Sequence, residues 1–291
     1  MTEPTPELSV IISVYGQLEC TRKCLHKLEE TLSGKINYEV VIVDDASKDG
    51  TIEFLQSLGC PYRVFYNPIN QGYAKNNNLA AREARGQYFC FLNNDVFVQG
   101  NWMFPMLQVL KEKSMVGMVG NVQRLANTFR YDHMGVVFAP QGNPRHFGQG
   151  FFHRPYKEQI KKWSAVTAAC CMTTYEQFWK NGGFDEIYLN GCEDVDLCLR
   201  MSERGLSHYV VHDSVVEHLK GASEGRKLFN EKNSKILMER WGESILSGQS
   251  KTDQYEHAKT YLYRGIFRPW SINLNKLIEA ALIFLRIKKI K

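Results

Sequence analysis

The feature that most constrains the fold is an alternation of apolar runs, rich in β-branched or aromatic residues, with amphipathic helical segments. The runs LSVIISVY (8–15), YEVVIVDD (38–45), YRVFYN (62–67) and QYFCFLNND (87–95) are typical of buried strands, and the segments 17–33, from Thr51 onwards, and 72–85 are predicted helices. Strands and helices that alternate in this way predict an α/β fold with a Rossmann-like, mostly parallel sheet flanked by helices and joined by right-handed crossovers.

Polar side chains stand where three of these predicted strands end. The first strand ends in Ser13 and Tyr15, the second in Asp44 and Asp45, and the fourth in Asn93, Asn94 and Asp95. Ligands bind at the carboxyl ends of strands in a parallel sheet. Neither a G-x-G-x-x-G dinucleotide fingerprint nor a Walker phosphate loop follows the first strand. Acids in place of glycines favour a metal ion as the group that holds phosphates.

The middle of the chain is predicted to be less regular. Residues 123–163 are aromatic and basic, which is typical of a lid or a substrate rim, whereas 164–172 (SAVTAACCM) is a predicted strand and 174–181 a predicted helix.

A cluster of acids follows at the predicted start of a helix. Asp196 lies one turn before Arg200, so an ion pair within the helix explains it. Glu193 and Asp194 have no such explanation and are candidates for a general base and its hydrogen-bonding neighbour. Further on, His218 ends another predicted strand, where it is either a packed histidine or a metal ligand.

Bulk properties narrow the class of protein. The chain has 291 residues, 44% hydrophobic content and a formal charge of +5, which suits a folded protein and does not indicate a nucleic-acid groove. The eight cysteines include no C-x-x-C pair, and the N-terminal residues lack a signal-peptide pattern. We therefore expect a cytoplasmic protein, without a membrane span, that does not bind nucleic acid.

Several motifs in order resemble a known family. The stretches SVIISVY, VIVDDASKDGT, NQGYAKNNNLAAREARGQYFCFLNNDV, VTAACCMTTYEQFWKNGGFDE, CEDVDLCLR and VVEHLKGAS are similar to family 2 glycosyltransferases with the GT-A fold, and the match covers about 8–242. The resemblance is greatest to the branch that builds bacterial cell-surface polysaccharides, including rhamnosyl- and galactofuranosyl-transferase-like enzymes. It implies an inverting hexosyl- or deoxyhexosyltransferase that uses a nucleotide-sugar donor, most simply a UDP- or dTDP-sugar, and a divalent cation, Mn²⁺ or Mg²⁺.

The resemblance also implies a role for each matching residue. Asp95 and His218 would bind the metal, Asp194 would be the catalytic base, and Glu193 would be its partner. The nucleotide-binding residues would be Ser13, Tyr15, Asp44, Asp45, Asn70, Gly72, Asn78, Asn93 and Asn94.

This sequence departs from the family pattern at two positions. Asn93 replaces the first acid of the D-x-D motif, and Ala168 replaces a glycine on the acceptor side.

The resemblance leaves two other functions open. One is a nucleotide-sugar-binding protein without catalysis, which should release no nucleoside diphosphate from its donor. The other is a nucleotidyltransferase, for which ISVYGQLECTRK is a poor nucleotide loop.

The predicted organisation is a GT-A catalytic domain over 1–242, with a nucleotide-binding half at 8–122 and an acceptor half at 123–242, followed by a helical extension at 243–291. The segment 264–291 combines Arg268, Trp270 and a helical stripe of apolar residues with a basic end that includes Lys289 and Lys291. One prediction is that this segment packs on the catalytic domain or on a second subunit. The other is that it lies on the inner face of an anionic membrane, where a saccharide or lipid-linked acceptor would be presented.

Overall fold

The computed structural model describes residues 5–219, 229–267 and 269–288. Gly221 and Ser223 of the last motif lie outside these residues, as do Arg268 and, in the basic end, Lys289 and Lys291. The strands are β1 (Leu8–Val14), β2 (Tyr38–Asp44), β3 (Tyr62–Tyr66), β4 (Tyr88–Leu92), β5 (Val96–Val98), β6 (Val116–Leu125), β7 (Tyr131–His133), β8 (Val136–Phe138), β9 (Pro144–His146), β10 (Ile160–Trp163), β11 (Cys170–Thr174) and β12 (Ser207–His218). The helices are α1 (Leu18–Leu32), α2 (Thr51–Gln56), α3 (Tyr73–Glu83), α4 (Phe104–Glu112), α5 (Tyr175–Lys180), α6 (Glu193–Glu203), α7 (Asn230–Ser244), α8 (Ser250–Phe267) and α9 (Leu274–Phe284), with a π-helical turn at Ile245–Gln249 and a 3₁₀ turn at Pro269–Ser271.

A single mixed sheet organises the described chain. Its strands lie in the order β10-β12-β6-β11-β4-β1-β2-β3, while β5 pairs with β12 and β7 with β6. β4, β1, β2 and β3 are mutually parallel, as the alternating pattern predicts, and β11 enters antiparallel between β4 and β6. The prediction of an α/β, GT-A-type fold with a mostly parallel sheet and C-terminal helices is confirmed.

Burial on both faces explains the unbroken apolar runs of the parallel strands. Val10 and Ile12 of β1 pack in one core with α1 and α4, whereas Ile11 packs in a second core with α3, α5 and α6. Successive strand residues point to opposite faces, so both sets must be apolar.

Two predictions for the middle of the chain were wrong. Residues 123–163 contain the end of β6 and the short strands β7 to β10, which the irregular pattern concealed because most of them are only three or four residues long. The predicted strand at 164–172 begins only at Cys170; the residues before it form a connection that makes a single bridge, from Ala165 to Val136.

The C-terminal helices pack on the second half of the sheet domain. Ser250 donates to the carbonyl of Ala139 at 2.8 Å, and the Tyr263 hydroxyl accepts from the Phe152 N–H at 2.9 Å. α9 then packs on α8, with the Phe284 ring stacked on Tyr255 at 5.2 Å. Among the described residues, we find no helix that combines the length and apolar character needed to cross a bilayer. The division of the chain into a catalytic domain at 1–242 and a helical extension at 243–291 remains a prediction.

Asp253 fastens α8 to the domain. Its carboxylate accepts from the Phe138 N–H and from the Ser164 hydroxyl, each at 2.8 Å. Burial raises the pKa of Asp253 to about 6; the two hydrogen bonds oppose the shift, and the nearby charge of Glu256 adds to it. Ionising this carboxyl therefore costs free energy in the folded state.

Replacing Asp253 by asparagine should remove a pH-dependent loss of stability. Because the folded-state pKa is raised, the contribution of the protonated carboxyl is complete below about pH 4 and is lost as pH rises through about 6. We expect the free energy of unfolding of Asp253→Asn, minus that of wild type, to rise by on the order of 2–3 kcal/mol as the pH increases from about 4 to just above 6. Urea unfolding across this range measures it.

The exposed Asp213 on β12 supplies the control. Asp213→Asn should show no comparable rise. A difference between Asp253→Asn and wild type that does not change with pH would contradict the prediction.

Candidate functional site

A cavity of about 490 Å³ opens at the edge of the sheet where β1, β2 and β4 end. Most of the site residues predicted from the sequence line it together: Ser13, Tyr15, Asp45, Asn70, Asn93, Asn94, Asp95, Glu193 and Asp194. Asp44, Gly72, Asn78 and His218 lie outside the lining. Parallel register explains the convergence, because Val14 of β1 pairs with Asp44 of β2 and Ile11 pairs with Phe91 of β4.

Asp45 organises the side of the cavity formed by β1 and β2. Its Oδ1 accepts from the Gln71 N–H at 2.7 Å, and its Oδ2 accepts from the Gly72 N–H at 3.0 Å. The Asn67 amide adds a third hydrogen bond at 3.1 Å. Asp45 therefore fixes the loop that carries Asn70 and that leads into α3, while it also faces the cavity.

The predicted residues outside the lining support it from behind. Asp44 accepts from the Ser47 N–H at 3.1 Å, and Gly72 has a φ of +84° at the start of α3, a conformation that favours glycine. Asn78 was predicted to lie beside a nucleotide. Instead its side chain donates to the Phe184 carbonyl at 2.8 Å and accepts from the Phe184 N–H at 3.0 Å, so it joins α3 to the chain that precedes α6.

The turn after β4 presents Asp95. The Asn93 N–H donates to the Ala169 carbonyl at 2.9 Å, and the Asn94 amide donates to the Thr21 hydroxyl at 3.0 Å. These bonds hold the turn between β4 and β5 against neighbouring elements. Asp95 is largely buried, yet it still lines the cavity.

His218 lies directly behind Asp95. β12 pairs antiparallel with β5, with His218 opposite Val96, and this brings His218 Nε2 to 3.3 Å from Asp95 Oδ1. His218 Nδ1 faces Gln123 Oε1 at 3.2 Å and Asp132 Oδ2 at 3.6 Å. Burial lowers the pKa of His218, but hydrogen bonds and charge attraction from Asp132 and Asp95 outweigh it, so the net pKa is raised.

Asp95 and His218 have the chemistry of a pair of metal ligands. Among the described residues, no group of three or more His, Cys, Asp or Glu side chains is arranged to hold a metal ion. The pair nevertheless offers one carboxylate oxygen and one imidazole nitrogen, and the other ring nitrogen of His218 faces an amide and a carboxylate. Metal-binding histidines usually have such outer partners. The donors present therefore fit a divalent cation that takes its remaining ligands from phosphate and water.

A strained loop places the acids of α6. Asn190, Gly191 and Cys192 all have positive φ, of 57°, 136° and 75°, and two of the three are not glycine. The loop is held by Asn233 of α7, whose buried amide donates to the carbonyls of Leu189 and Gly191, each at 2.9 Å.

The two acids at the start of α6 have different contacts. Glu193 turns back on the loop and accepts from the Gly191 N–H at 2.6 Å. Asp194 accepts from the Ala168 N–H at 3.0 Å and from the Val195 N–H at 2.8 Å, so it lies between α6 and the chain that leads into β11.

Asp196 does not line the cavity. It is fully buried and forms the expected pair with Arg200 at 2.7 Å, and it also accepts from the Trp241 indole at 2.8 Å.

Several lining residues carry no sequence signal that could have identified them. Tyr73 joins the two sides, because its hydroxyl donates to the Ala168 carbonyl at 2.9 Å and its N–H donates to Asn190 Oδ1 at 3.0 Å. The opposite wall comes from the region predicted to form a rim or lid. The lining residues to which the sequence analysis gives no role are Tyr73, Val136, Pro144, Arg145, His146, Thr167, Ala169, Asn190, Gly191, Cys192, Val195, Phe229 and Asn230.

Curated relatives match over much of this chain. An uncharacterised protein, y4gI of Sinorhizobium fredii, is 31% identical over 81% of the chain, and the O-antigen biosynthesis protein RfbC of Myxococcus xanthus is 29% identical over 75% of it. The chain spans only 27% and 18% of the lengths of these two relatives. A putative teichuronic acid biosynthesis glycosyltransferase of Bacillus subtilis, TuaG, is 24% identical over 75% of the chain and 81% of its own length.

Solved structures share the fold. GalNAc-T7 with UDP, GalNAc and Mn²⁺ superposes with a TM-score of 0.67 at 18% identity, over 89% of this chain and 51% of that one. The mannosyltransferase PcManGT of Pyrobaculum calidifontis, in complex with GDP-Man and Mn²⁺, superposes with a TM-score of 0.61 at 16% identity. The match covers 99% of this chain and 89% of the mannosyltransferase chain.

The profile described as "Glycosyl transferase family 2" matches residues 9–180, which include β1, the strand ends that line the cavity, and β11. The match spans more than half of the chain. The chain belongs to glycosyl transferase family 2.

Proposed function

We propose that the protein transfers a sugar from a nucleotide-diphosphate donor to a hydroxyl group of a saccharide or lipid-linked acceptor in cell-surface polysaccharide synthesis. The observation that carries the proposal is a single cavity lined by Asp45 and Asp95 at the strand ends and by Asp194 at a helix start. Relatives that are named for O-antigen and teichuronic acid biosynthesis support the choice of pathway class.

The donor would bind on the side formed by β1 and β2. Tyr15 is half exposed and lines the cavity, so its ring is available to a base, while Ser13, Asp45 and Asn70 supply polar atoms nearby. A UDP- or dTDP-sugar that carries a hexose or deoxyhexose is the donor we propose.

Asp95 and His218 would hold Mn²⁺ or Mg²⁺. The ion, when bound, would act as a Lewis acid on the departing diphosphate. The side chains behind the pair orient it, since Gln123 and Asp132 face the far nitrogen of the His218 ring. Two of the solved relatives in fold contain Mn²⁺, which supports the assignment.

Asp194 would be the general base. Its carboxylate would take the proton of the acceptor hydroxyl as the acceptor oxygen forms its bond to the anomeric carbon. The bond from that carbon to phosphate oxygen breaks in the same step, and its electron pair leaves with the nucleoside diphosphate. A single displacement inverts the anomeric centre and needs no covalent intermediate. Glu193 would position the loop through its hydrogen bond to Gly191.

Asp194→Asn should abolish transfer while donor binding persists. An amide cannot accept the proton, so we expect the transfer rate to fall by about 10²–10⁴-fold. The asparagine oxygen can still accept from one of the two backbone N–H groups that Asp194 contacts, so the fold should hold. Release of nucleoside diphosphate with acceptor present measures transfer, and calorimetry measures donor affinity.

Glu203 at the far end of the same helix gives a matched control. Glu203→Gln should leave both quantities unchanged. Transfer by Asp194→Asn within a few fold of wild type would contradict the assignment of the base.

We further propose that α8 and α9 hold the enzyme on the inner face of an anionic membrane. Trp270, Leu274 and Ile278 are 82%, 68% and 52% exposed. Exposed apolar residues flank them at Ile266, Leu285 and Ile287, and exposed basic side chains include Lys276 and Arg286. Apolar residues beside cations suit the surface of an anionic bilayer. A second copy of the chain is the other partner that such a surface could take.

Removing two of these side chains should weaken membrane binding. We expect wild type to co-sediment with phosphatidylglycerol vesicles more than with phosphatidylcholine vesicles, and Trp270→Ser with Leu274→Ser to reduce binding at least about tenfold, because each buried side chain contributes roughly 1.5–3 kcal/mol. Phe129→Ser is the control, since Phe129 is equally exposed but lies outside the segment 266–287 that carries the exposed apolar residues. Wild type that remains in the supernatant of the vesicle assay would contradict membrane binding. If that protein is also a dimer by analytical ultracentrifugation, the surface is a contact between two copies of the chain.

A further inference from the structure

The wall of the cavity formed by the β8–β9 hairpin carries a cation that the proposed reaction does not use. Val136, Pro144, Arg145 and His146 of this hairpin line the cavity. Arg145 lies opposite Val137 in the hairpin and its side chain is exposed.

Backbone contacts join the hairpin to the chain segment that contacts Asp194. The Val136 N–H donates to the Ala165 carbonyl at 3.0 Å, which aligns β8 with the chain that continues to Ala168. Ala168 in turn donates to Asp194. Most of the residues assigned to the nucleotide come instead from the ends of β1 and β2 and from the loop before α3, whereas Asn93 and Asn94 come from the turn after β4. Arg145 is therefore placed on the acceptor side.

The hairpin is a firm support for Arg145. Phe138 of β8 donates to the buried Asp253, and the next residue, Ala139, accepts from Ser250. At the turn, Gly142 has a φ of +87°, and an added Cβ there would meet Met238 of α7 at 2.6 Å. α7 and α8 thus fix the backbone that carries Arg145.

The charge of Arg145 is unbalanced within the described part of the protein. Among the lining residues that the structure describes, it is the only one with a permanent positive charge, whereas Asp45, Asp95, Glu193 and Asp194 are acidic. Among residues 5–219, 229–267 and 269–288, the side chain of Arg145 has no ion pair and no hydrogen bond, and its charge acts on the nearby His257 of α8. An exposed arginine without an ion pair, on the wall of a cavity, is suited to bind an anionic group.

We propose that Arg145 binds a negatively charged group of the acceptor, a phosphate or a carboxylate. A guanidinium donates two parallel hydrogen bonds to such groups and discriminates strongly against neutral ones. The anion could belong to a lipid diphosphate or to an acidic sugar. The inference rests on the proposed function and adds to it the charge of the acceptor and the residue that selects it.

The test uses the full chain with its donor site filled. The protein is saturated with Mn²⁺ and with whichever of UDP, dTDP, GDP or CDP binds it, so that an anionic probe cannot occupy the donor phosphate site. Binding is then measured by calorimetry for two pairs of probes. Farnesyl diphosphate is compared with farnesol, and p-nitrophenyl glucuronide with p-nitrophenyl glucoside, so that the two pairs distinguish a lipid diphosphate from a sugar carboxylate.

Wild type should bind the anionic member of at least one pair about tenfold or more tightly than its neutral counterpart. Arg145→Gln should remove that preference. Lys157→Gln, at an exposed cation in the same half of the chain but outside the lining, should keep it. Equal unfolding temperatures for the two variants would show that neither change disturbs the fold.

The outcomes separate the two proposals. Nucleotide binding without a preference for either anion, or a preference that survives Arg145→Gln, overturns the role of Arg145 alone. Weaker nucleotide binding by Arg145→Gln also overturns it, because the arginine would then serve the donor. Failure of every nucleotide to bind wild type overturns the proposed function and, with it, this inference.

Discussion

Parallel pairing of β4, β1 and β2 is the constraint on which the rest of the structure depends. Strands in parallel register end at the same edge of a sheet, so Ser13, Asp45 and Asp95 must converge although they are far apart in the chain. Burial of both faces holds the strands in that register, because a slip of one residue would exchange the sets of side chains that fill the two cores. The cavity is thus a consequence of how the sheet is packed.

The second half of the chain completes the cavity through a few specific contacts. Antiparallel pairing of β12 with β5 brings His218 to Asp95, and a loop with three successive positive φ angles brings Asp194 to Ala168. Tyr73 then joins both halves. The C-terminal helices take part as well, since Asp253 of α8 holds the hairpin that forms the far wall. The predicted extension is therefore packed into the architecture around the site.

The sequence predicted the features that follow from local patterns. Apolar runs, β-branched in β1 and β2 and aromatic in β4, identified these strands, and the polar residues after them identified much of the lining. Short strands such as β8 and β9 were missed, because three residues carry too little periodicity to be distinguished from a loop. The contacts of Asn78 could not be predicted, because nothing near it in the sequence indicates that its amide would donate to the Phe184 carbonyl and accept from the Phe184 N–H. Arg145 could not have been assigned, since its position depends on contacts made by α7 and α8.

The central claim is that a nucleotide and a divalent cation bind together at this edge of the sheet. A thermal-shift comparison of UDP, dTDP, GDP and CDP, each with and without Mn²⁺, tests it most directly, because a ligand that binds only the folded state raises its unfolding temperature. The account predicts that one nucleotide stabilises wild type in a manner that depends on Mn²⁺, and that Asp95→Asn loses this dependence. Absence of a shift with every nucleotide, or an unchanged metal dependence in Asp95→Asn, would contradict it.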